Sequence, residues 1–325
     1  MRRLLFILFL LGLAAVVAWL GYVLFLPLQP PGGATVLLRS GSSTRHIAAE
    51  LRAAGVIRSA SGFLLVNSWR GKSLKAGEYS FDQPANAVEV YDRIARGDMV
   101  VHTVVVPEGS NLYEVAAVLQ QAGLGSADDF VRVAHSDTRL IADLDPQATS
   151  LEGYLFPDTY HFSRTQNQHD IAAAMVHHFR KEASELGLTS NVHQVVTMAS
   201  IVEKETSVPE ERPLVASVYF NRLAKGIPFG ADPTVVYASL LAGRYTGVIH
   251  ESDLQLDSPY NTYKRAGLPP GPIANPGRAS LAAAMRPAQS DFLFFVSDNQ
   301  GHHRFARTAA EHARNVAAYR RATNH

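Results

Sequence analysis

The feature that most restricts the fold of this chain is an uncharged apolar run close to its N-terminus. Arg2 and Arg3 precede an apolar stretch over residues 4–26, and Pro27 follows it directly. A helix of this length would span about 34 Å, which is enough for the roughly 30 Å hydrocarbon core of a bilayer. The apolar region of a cleaved signal peptide is shorter, about 7–15 residues. We therefore predict a single-pass membrane anchor, with a signal peptide cleaved near Ala18 as the alternative.

The two arginines also predict how the anchor is oriented. Lys and Arg favour the cytoplasmic side of a membrane, so everything after residue 26 should lie outside the inner membrane. A length of 325 residues leaves room for two further domains, and 47% hydrophobic against 18% charged residues is typical of a globular protein. The net charge of +1 gives no indication of nucleic-acid binding. The absence of cysteine excludes disulfides, thiolate metal sites and a lipoprotein anchor.

An internal repeat follows the apolar run. The segment "TVLLRSGSSTRHIAAELRAAGVI" at residues 35–57 aligns without gaps with "TVVVPEGSNLYEVAAVLQQAGLG" at residues 103–125. Each copy begins with β-branched residues, turns at Gly-Ser, and continues with helical spacing that ends at glycine, so each predicts a strand followed by an amphipathic helix. A weaker match continues through "SASGFLLV" and "SADDFVRV" to "EYSF" and "TYHF", which predict a second helix and an extended segment. Two tandem βα-type modules are therefore expected before about residue 165.

The C-terminal half has a different pattern. It predicts a helix over residues 171–187, a second helix with Asn191 as its N-cap, and a third over residues 214–226. Loop-rich sequence follows, then a strand and hairpin-like turn in "DFLFFVSDNQGHHRF" and a terminal helix from about Ala309.

The second of these helices ends in "ASIVEKETS", where Glu203 and Glu205 follow directly on apolar residues. A helical projection places an apolar stripe opposite a polar face. Glu203 and Glu205 flank the apolar stripe, one on each side, about 200° apart. That polar face contains Thr197, Ser200 and Lys204. The spacing alone leaves two interpretations open: both acids lie at the surface, or one carboxylate is held in an apolar cleft for chemistry.

Five motifs standing in the order of a known family favour the second interpretation. They are "EGYLFPDTY" (152–160), "MASIVEKET" (198–206), "ADPTVVYA" (231–238), "SPYNTY" (258–263) and "GLPPGPIANPG" (267–277). With the apolar run and the repeat, they resemble the endolytic murein transglycosylase (MltG/YceG-like) family from the anchor to Phe305. The resemblance implies a protein of the bacterial inner membrane that cleaves nascent peptidoglycan strands and leaves 1,6-anhydro-N-acetylmuramic acid (MurNAc) ends.

The resemblance also distinguishes the two glutamates. "KET" is similar to the Glu-Ser signature of lysozyme-like lytic transglycosylases, which implies that Glu205 is catalytic and that Thr206 takes the place of the serine. Glu203 would then be a supporting or structural acid. One carboxylate is sufficient for this reaction, because Glu205 can protonate the glycosidic oxygen and then deprotonate the C6 hydroxyl of the substrate as it attacks C1. Such an acid needs a pKa raised by apolar surroundings.

Further site residues come from the same motifs. Tyr260, Asn261 and Tyr263 suit sugar stacking and hydroxyl recognition in a cleft. Glu152, Tyr154 and Asp158 lie in a matching family motif and, with Thr206, complete the predicted substrate-binding set.

Asp232 and a pair of histidines have structural interpretations. Asp232, followed by proline, is interpreted as a helix N-cap. His302 and His303 are interpreted as solvent-exposed, because no third ligand stands at a recognisable spacing. We expect no metal and no cofactor.

Together these observations predict an α+β fold: an N-terminal transmembrane helix (1–30), a duplicated LysM-like βα region (31–165), and a mixed helical and loop-rich catalytic domain with a few strands (166–325). The LysM-like repeat either binds glycan or acts as a spacer, and the sequence favours neither role over the other.

The expected partners are peptidoglycan glycan strands and the inner-membrane bilayer, with peptidoglycan synthases as further candidates and no nucleic acid. The body should lie in the periplasm. The alternative function is a non-catalytic peptidoglycan-binding scaffold; a hydrolase that uses water is a variant of the enzyme.

Overall fold

A computed structural model describes residues 2–323 of the chain and has a mixed α+β architecture. Its helices are α1 Arg2–Leu24, α2 Thr44–Ala53, α3 Ala60–Arg70, α4 Ala87–Arg96, α5 Leu112–Gln121, α6 Ala127–Ser136, α7 Gln168–Leu186, α8 Val192–Glu205, α9 Arg212–Ala224, α10 Asp232–Leu241, α11 Arg278–Met285 and α12 Ala309–Thr323. Its strands are β1 Ala34–Leu38, β2 Gly77–Phe81, β3 His102–Val105, β4 Thr159–Phe162, β5 Phe294–Ser297 and β6 His303–Ala306. The strands pair as β1 with β2, β3 with β4, and β5 with β6.

The chain divides into two compact units. The smaller runs up to Thr103 and also includes His161–Asn167, while the larger consists of Val104–Tyr160 and the chain from Gln168 onward. Helices α5 and α6, which belong to the second copy of the repeat, therefore lie in the larger unit. The boundaries predicted at residues 30 and 165 stay predictions.

In the smaller unit, the apolar run forms α1. It is the one helix among the described residues that is long and apolar enough to cross a membrane, by length and composition. Most of its side chains are exposed, but Val23 is buried, and the methyl groups of Val23 and Leu24 lie close to Gly62 of α3. The end of α1 thus packs on the small core in which Phe63 of α3 contacts Tyr91 of α4 at a ring-centroid distance of 5.7 Å.

The element order β-α-α-β occurs twice, which confirms the predicted elements of the repeat. The first copy is β1, α2, α3 and β2, with β1 and β2 antiparallel, and the second is β3, α5, α6 and β4. The glycines predicted to end the first helix of each copy, Gly55 and Gly123, both have a φ of +71°. This left-handed conformation is one that glycine adopts without steric cost, and it is common just after a helix end.

In the larger unit, α8 packs against α9, α10 and α11. The predicted polar face of α8 is wrong in part, because Thr197 and Ser200 are fully buried and only Lys204 is exposed. Ser200 tolerates burial because its hydroxyl donates to the carbonyl of Thr197 and accepts from the backbone N–H of Ile273. Helix α8 is therefore surrounded by protein along most of its length.

The start of α8 also differs from expectation in one respect. Asn191 occupies the predicted N-cap position, but its φ is +52° and its side chain makes no capping hydrogen bond. Asparagine tolerates the left-handed region better than most residues, which suits it to the turn that begins α8. Helices α7 and α9, the β5–β6 hairpin and α12 follow the predicted pattern.

Candidate active site

Glu205 is the last residue of α8, and its carboxylate is bound by a tyrosine from the next helix. The hydroxyl of Tyr219 on α9 donates to Oε1 of Glu205 over 2.7 Å. The ring of Tyr219 is buried against Phe229 and Phe295, with centroid distances of 5.1 and 5.8 Å. Because that ring is fixed by its aromatic neighbours, the hydrogen bond holds the Glu205 carboxyl in one orientation.

The surroundings of Glu205 favour its protonated form. Burial raises the pKa of Glu205 to about 7, and the negative charge of Asp232 acts in the same direction. The hydrogen bond from Tyr219 and the positive charge of Arg222 oppose this rise in pKa. A carboxyl group with this pKa can donate a proton near neutral pH and accept one again, as general acid–base catalysis requires.

A cavity of about 300 Å³ opens beside Glu205. Among the residues lining it are Tyr219, Arg222, Asp232, Tyr263 and Phe295. The guanidinium of Arg222 donates to the carbonyls of Leu293 and Phe229, each over 2.6 Å, which fixes a positive charge at the cavity wall. The cavity therefore combines a protonatable acid, a cation and aromatic surface.

Asp232 has a different role from the predicted helix cap. Ala231 is the N-cap of α10, and Asp232 is the first residue of the helix. Its Oδ1 accepts a 2.5 Å hydrogen bond from the hydroxyl of Tyr263. The N-cap prediction is wrong by one position, because the chain enters the helix a residue earlier, and the Asp232 carboxylate lines the cavity instead.

Glu203 is held in a structural ion pair. Its Oε1 accepts from Arg212 over 2.8 Å and its Oε2 accepts from the backbone N–H of Gly277 over 2.9 Å. The side chains of Glu203 and Arg212 are 4% and 8% exposed. Glu203 also lines a second recess next to Glu205, but both of its oxygens are already bound. This arrangement fits the supporting or structural role expected for Glu203.

The predicted sugar-binding residues Tyr260, Asn261 and Tyr263 lie in one loop but have different surroundings. The amide of Asn261 is fully buried and donates to the carbonyls of Leu254 and Leu256, so it holds the loop together. Tyr260 packs its ring on Tyr237 at 5.1 Å and does not line the Glu205 cavity. Of the three, only Tyr263 lies in that cavity.

Glu152 and Tyr154 are buried. Glu152 accepts hydrogen bonds from the backbone N–H of Leu112 and from Tyr237 and Asn275. Burial raises the pKa of Glu152 to about 8, against the effect of these donors. The hydroxyl of Tyr154 donates to Asp145, and burial raises the pKa of Tyr154. Neither residue lines the Glu205 cavity.

The two remaining predicted residues lie at the surface and at the end of α8. Oδ2 of Asp158 lies 3.2 Å from Nδ1 of His178, and Asp158 is not among the residues that line the Glu205 cavity. Thr206 is the C-cap of α8, and its hydroxyl oxygen accepts from the backbone N–H of Val208. Thr206 fixes the turn by which the chain leaves the Glu205 site. The substrate-binding roles of these residues stay predictions.

His302 and His303 were expected to be exposed, and this is wrong for His303. Its side chain is 15% exposed and its Nδ1 lies 2.6 Å from Oε2 of Glu211, whereas His302 is 61% exposed. The hairpin places both rings beside the same carboxylate at the start of α9, a contact that sequence spacing did not indicate. Within residues 2–323, no group of three or more His, Asp or Glu side chains is arranged to hold a metal ion.

Tyr219 and Arg222 were missed as site residues by the sequence analysis, which interpreted residues 214–226 only as a helix. A signal was present, because residues three apart share one face of a helix. A tyrosine and an arginine on one face of a largely apolar helix that follows the Glu205 segment could have been recognised as an acid-orienting pair.

Comparisons with known proteins agree with this architecture. A family model described as the YceG-like family matches residues 36–318. A protein from Bacillus subtilis (strain 168) named endolytic murein transglycosylase is 33% identical over 315 residues, which is 90% of this chain and 87% of that protein. A protein of the same name from Streptococcus pneumoniae serotype 2 is 28% identical, and the match covers 88% of this chain but only 58% of that protein.

A solved structure is also similar. The crystal structure of a yceG-like protein from Listeria monocytogenes superposes with a TM-score of 0.57 at 32% identity, covering 87% of this chain and 98% of that one. The family match and the Bacillus relative each extend over most of the chain, and they include both the repeat and the Glu205 site. This chain therefore belongs to the YceG-like family.

Proposed function

We propose that this protein is a membrane-anchored endolytic peptidoglycan transglycosylase. It cleaves the bond between MurNAc and N-acetylglucosamine within nascent strands and leaves 1,6-anhydro-MurNAc ends. The observation that carries the proposal is the carboxyl of Glu205, partly buried at the edge of an open cavity with its pKa raised to about 7. The names of the Bacillus and Streptococcus relatives support the same activity.

In this mechanism Glu205 acts twice. It first donates its proton to the glycosidic oxygen as the bond from that oxygen to C1 of MurNAc breaks, which leaves Glu205 as a carboxylate. The carboxylate then takes the proton of the C6 hydroxyl while the C6 oxygen attacks C1 and closes the anhydro ring. Tyr219 orients the carboxyl throughout, and Glu205 ends the cycle protonated again. The Asp232 carboxylate can stabilise the positive charge that develops near C1.

Mass spectrometry of digested sacculi tests the reaction. We expect products with anhydro ends and strands shortened from within. Reducing ends would instead identify a hydrolase that lets water attack C1. No cleavage by folded protein would favour the alternative of a non-catalytic peptidoglycan-binding scaffold.

The pH dependence of cleavage provides a second test. Because Glu205 must be protonated to act as an acid, activity should hold below pH 7 and fall about tenfold per pH unit above it. The charge of Asp232 raises the pKa of Glu205, so Asp232→Asn should move this alkaline limb to lower pH. Asp257→Asn, a change at an exposed residue that pairs with Arg265, should leave the limb in place. An alkaline limb that stays unmoved in Asp232→Asn would contradict the coupling.

The repeat is proposed to be LysM-like. The support is the element order β-α-α-β, which occurs twice with paired strands. Two roles remain open for it, glycan binding and spacing of the catalytic region from the membrane, because a fold does not by itself determine a function.

The anchor is proposed to stay in the mature protein with the body in the periplasm, where strands, bilayer and synthases would be its partners. The supporting observation is the length of α1, which begins with Arg2 and Arg3 and continues through the apolar run. We expect the purified membrane fraction to contain protein whose intact mass includes residues 4–26. Soluble protein with an N-terminus near Ala18 would contradict this.

A further inference from the structure

A second cavity lies next to the Glu205 site and is larger than it. This groove, of about 480 Å³, lies between the exposed side of α5 and helix α10 of the same compact unit. Its walls are mainly aromatic and aliphatic: Tyr113, Val236, Tyr237, Leu240, Tyr245 and Ile273. We call it the α5–α10 groove.

The groove adjoins the Glu205 site. Asp232 lines both the groove and the Glu205 cavity, and Lys204, which precedes Glu205 in the chain, lines the groove as well. A substrate with its scissile bond at Glu205 therefore has its adjoining groups at the mouth of the groove.

The aliphatic part of the groove lining is poorly suited to a second sugar. A sugar presents hydroxyl groups around its ring and needs several polar partners, whereas Val236, Leu240 and Ile273 offer only methyl groups. The charged groups at the groove are one cation, Lys204, and two acids, Glu114 and Asp232, and Oδ1 of Asp232 already accepts from the hydroxyl of Tyr263. The ammonium of Lys204 donates to the carbonyl of Gly109 over 3.0 Å, and the exposed carboxylate of Glu114 uses one oxygen to accept from the N–H of Asn111.

A peptide matches this lining better. The short peptide that muramic acid carries in an uncleaved strand has alanine methyl groups, a glutamate carboxylate and, on its diamino acid, an amine. These groups correspond to the aliphatic wall, to the ammonium of Lys204 and to the carboxylate of Glu114, so apolar surface and charges of opposite sign face each other.

We propose that the α5–α10 groove binds the peptide stem of the muramic acid next to the scissile bond. The aliphatic wall contacts its alanine side chains, Lys204 pairs with its carboxylate and Glu114 pairs with its amine. The inference rests on the proposed function for the identity of the substrate. It makes the protein selective for strands that still carry their peptides.

The test measures binding and not turnover, so that it is independent of catalysis. Full-length Glu205→Gln protein in detergent micelles is titrated with glycan fragments that carry peptides and with the same fragments after an amidase has removed them. We expect about tenfold tighter binding of the peptide-bearing fragments. Leu240→Ala in this background should lose about fivefold of that affinity and leave peptide-free binding unchanged. The matched control is Leu241→Ala, at the exposed neighbour that does not line the groove.

A second variant tests the groove in case Leu240→Ala does not fold. Glu114→Gln keeps the size of the side chain and its helix-capping hydrogen bond but removes the charge. It should weaken binding of peptide-bearing fragments only. Equal losses of affinity for the two kinds of fragment would identify a sugar subsite. Unchanged affinity in both groove variants would show that the groove takes no part in binding. Either result overturns the proposal. Absence of cleavage by the wild-type protein would contradict the proposed function and would not alter these binding results.

Discussion

Glu205→Gln is expected to abolish strand cleavage in a protein that still folds. Glutamine keeps the size of the side chain and can accept the hydrogen bond from Tyr219, but it cannot deliver a proton. General acid catalysis contributes about 10²–10⁴-fold to the rate, and a loss of at least this size should appear as absence of anhydro ends in digested sacculi. The melting temperature should be unchanged or slightly higher, because a buried acid has been replaced by a neutral group.

The contrast with the neighbouring acid makes this result decisive. Per folded molecule, Glu203→Gln should cleave strands at a rate much closer to wild type, because both Glu203 oxygens bind Arg212 and Gly277 and none is free for a sugar oxygen. If Glu203→Gln were inactive while Glu205→Gln cleaved normally, the assignment would have to be exchanged. If both were active, the acid would lie elsewhere, with Glu152 and Asp232 next to be tested.

The second large effect is on stability and concerns Glu203. Removing one partner of a buried ion pair leaves the other charge unpaired, which costs about 3–5 kcal/mol. Arg212 is buried, and its remaining acidic neighbour Glu108 is 3.6 Å away and half exposed, so compensation should be small. For a unit of this size the melting temperature of Glu203→Gln should fall by about 10 °C.

Thermal unfolding of the purified protein followed by circular dichroism measures this shift. Glu185→Gln is the control, because Glu185 lies on α7 in an exposed contact with Arg278 and surface ion pairs contribute little. A melting temperature of Glu203→Gln equal to that of this control would show that the Arg212 pair does not stabilise the fold.

Much of the secondary structure could be predicted because local signals agreed with the final fold. Apolar spacing and glycine ends marked the repeat helices, and the segment "DFLFFVSDNQGHHRF" marked the hairpin. The environment of α8 could not be predicted in this way. Thr197 and Ser200 are polar but buried, and the backbone N–H that Ser200 accepts comes from Ile273, 73 residues further along the chain.

The candidate active site, too, could be predicted only in part. The resemblance pointed to Glu205, and the projection of α8 put Glu203 on another side of the helix. The partners of Glu205 come from other elements: Tyr219 and Arg222 from α9, Asp232 from α10 and Tyr263 from a loop. Asn261 was expected to contact sugar because amides commonly do, but its hydrogen bonds are used by the loop itself. Local sequence does not show which polar groups the backbone will occupy.

The position of Glu205 as the final residue of α8 has an electrostatic consequence. The backbone carbonyls at the C-terminal end of a helix carry about half a unit of negative charge, which disfavours a second negative charge there. A carboxylate would be more stable in the first turn of a helix. Holding this acid at the C-terminal end, where its ionised form is disfavoured, therefore costs the protein some stability. The same unfavourable field acts together with burial to keep a proton on Glu205, so this helix end gives up stability and in return holds a proton donor that is still protonated near neutral pH.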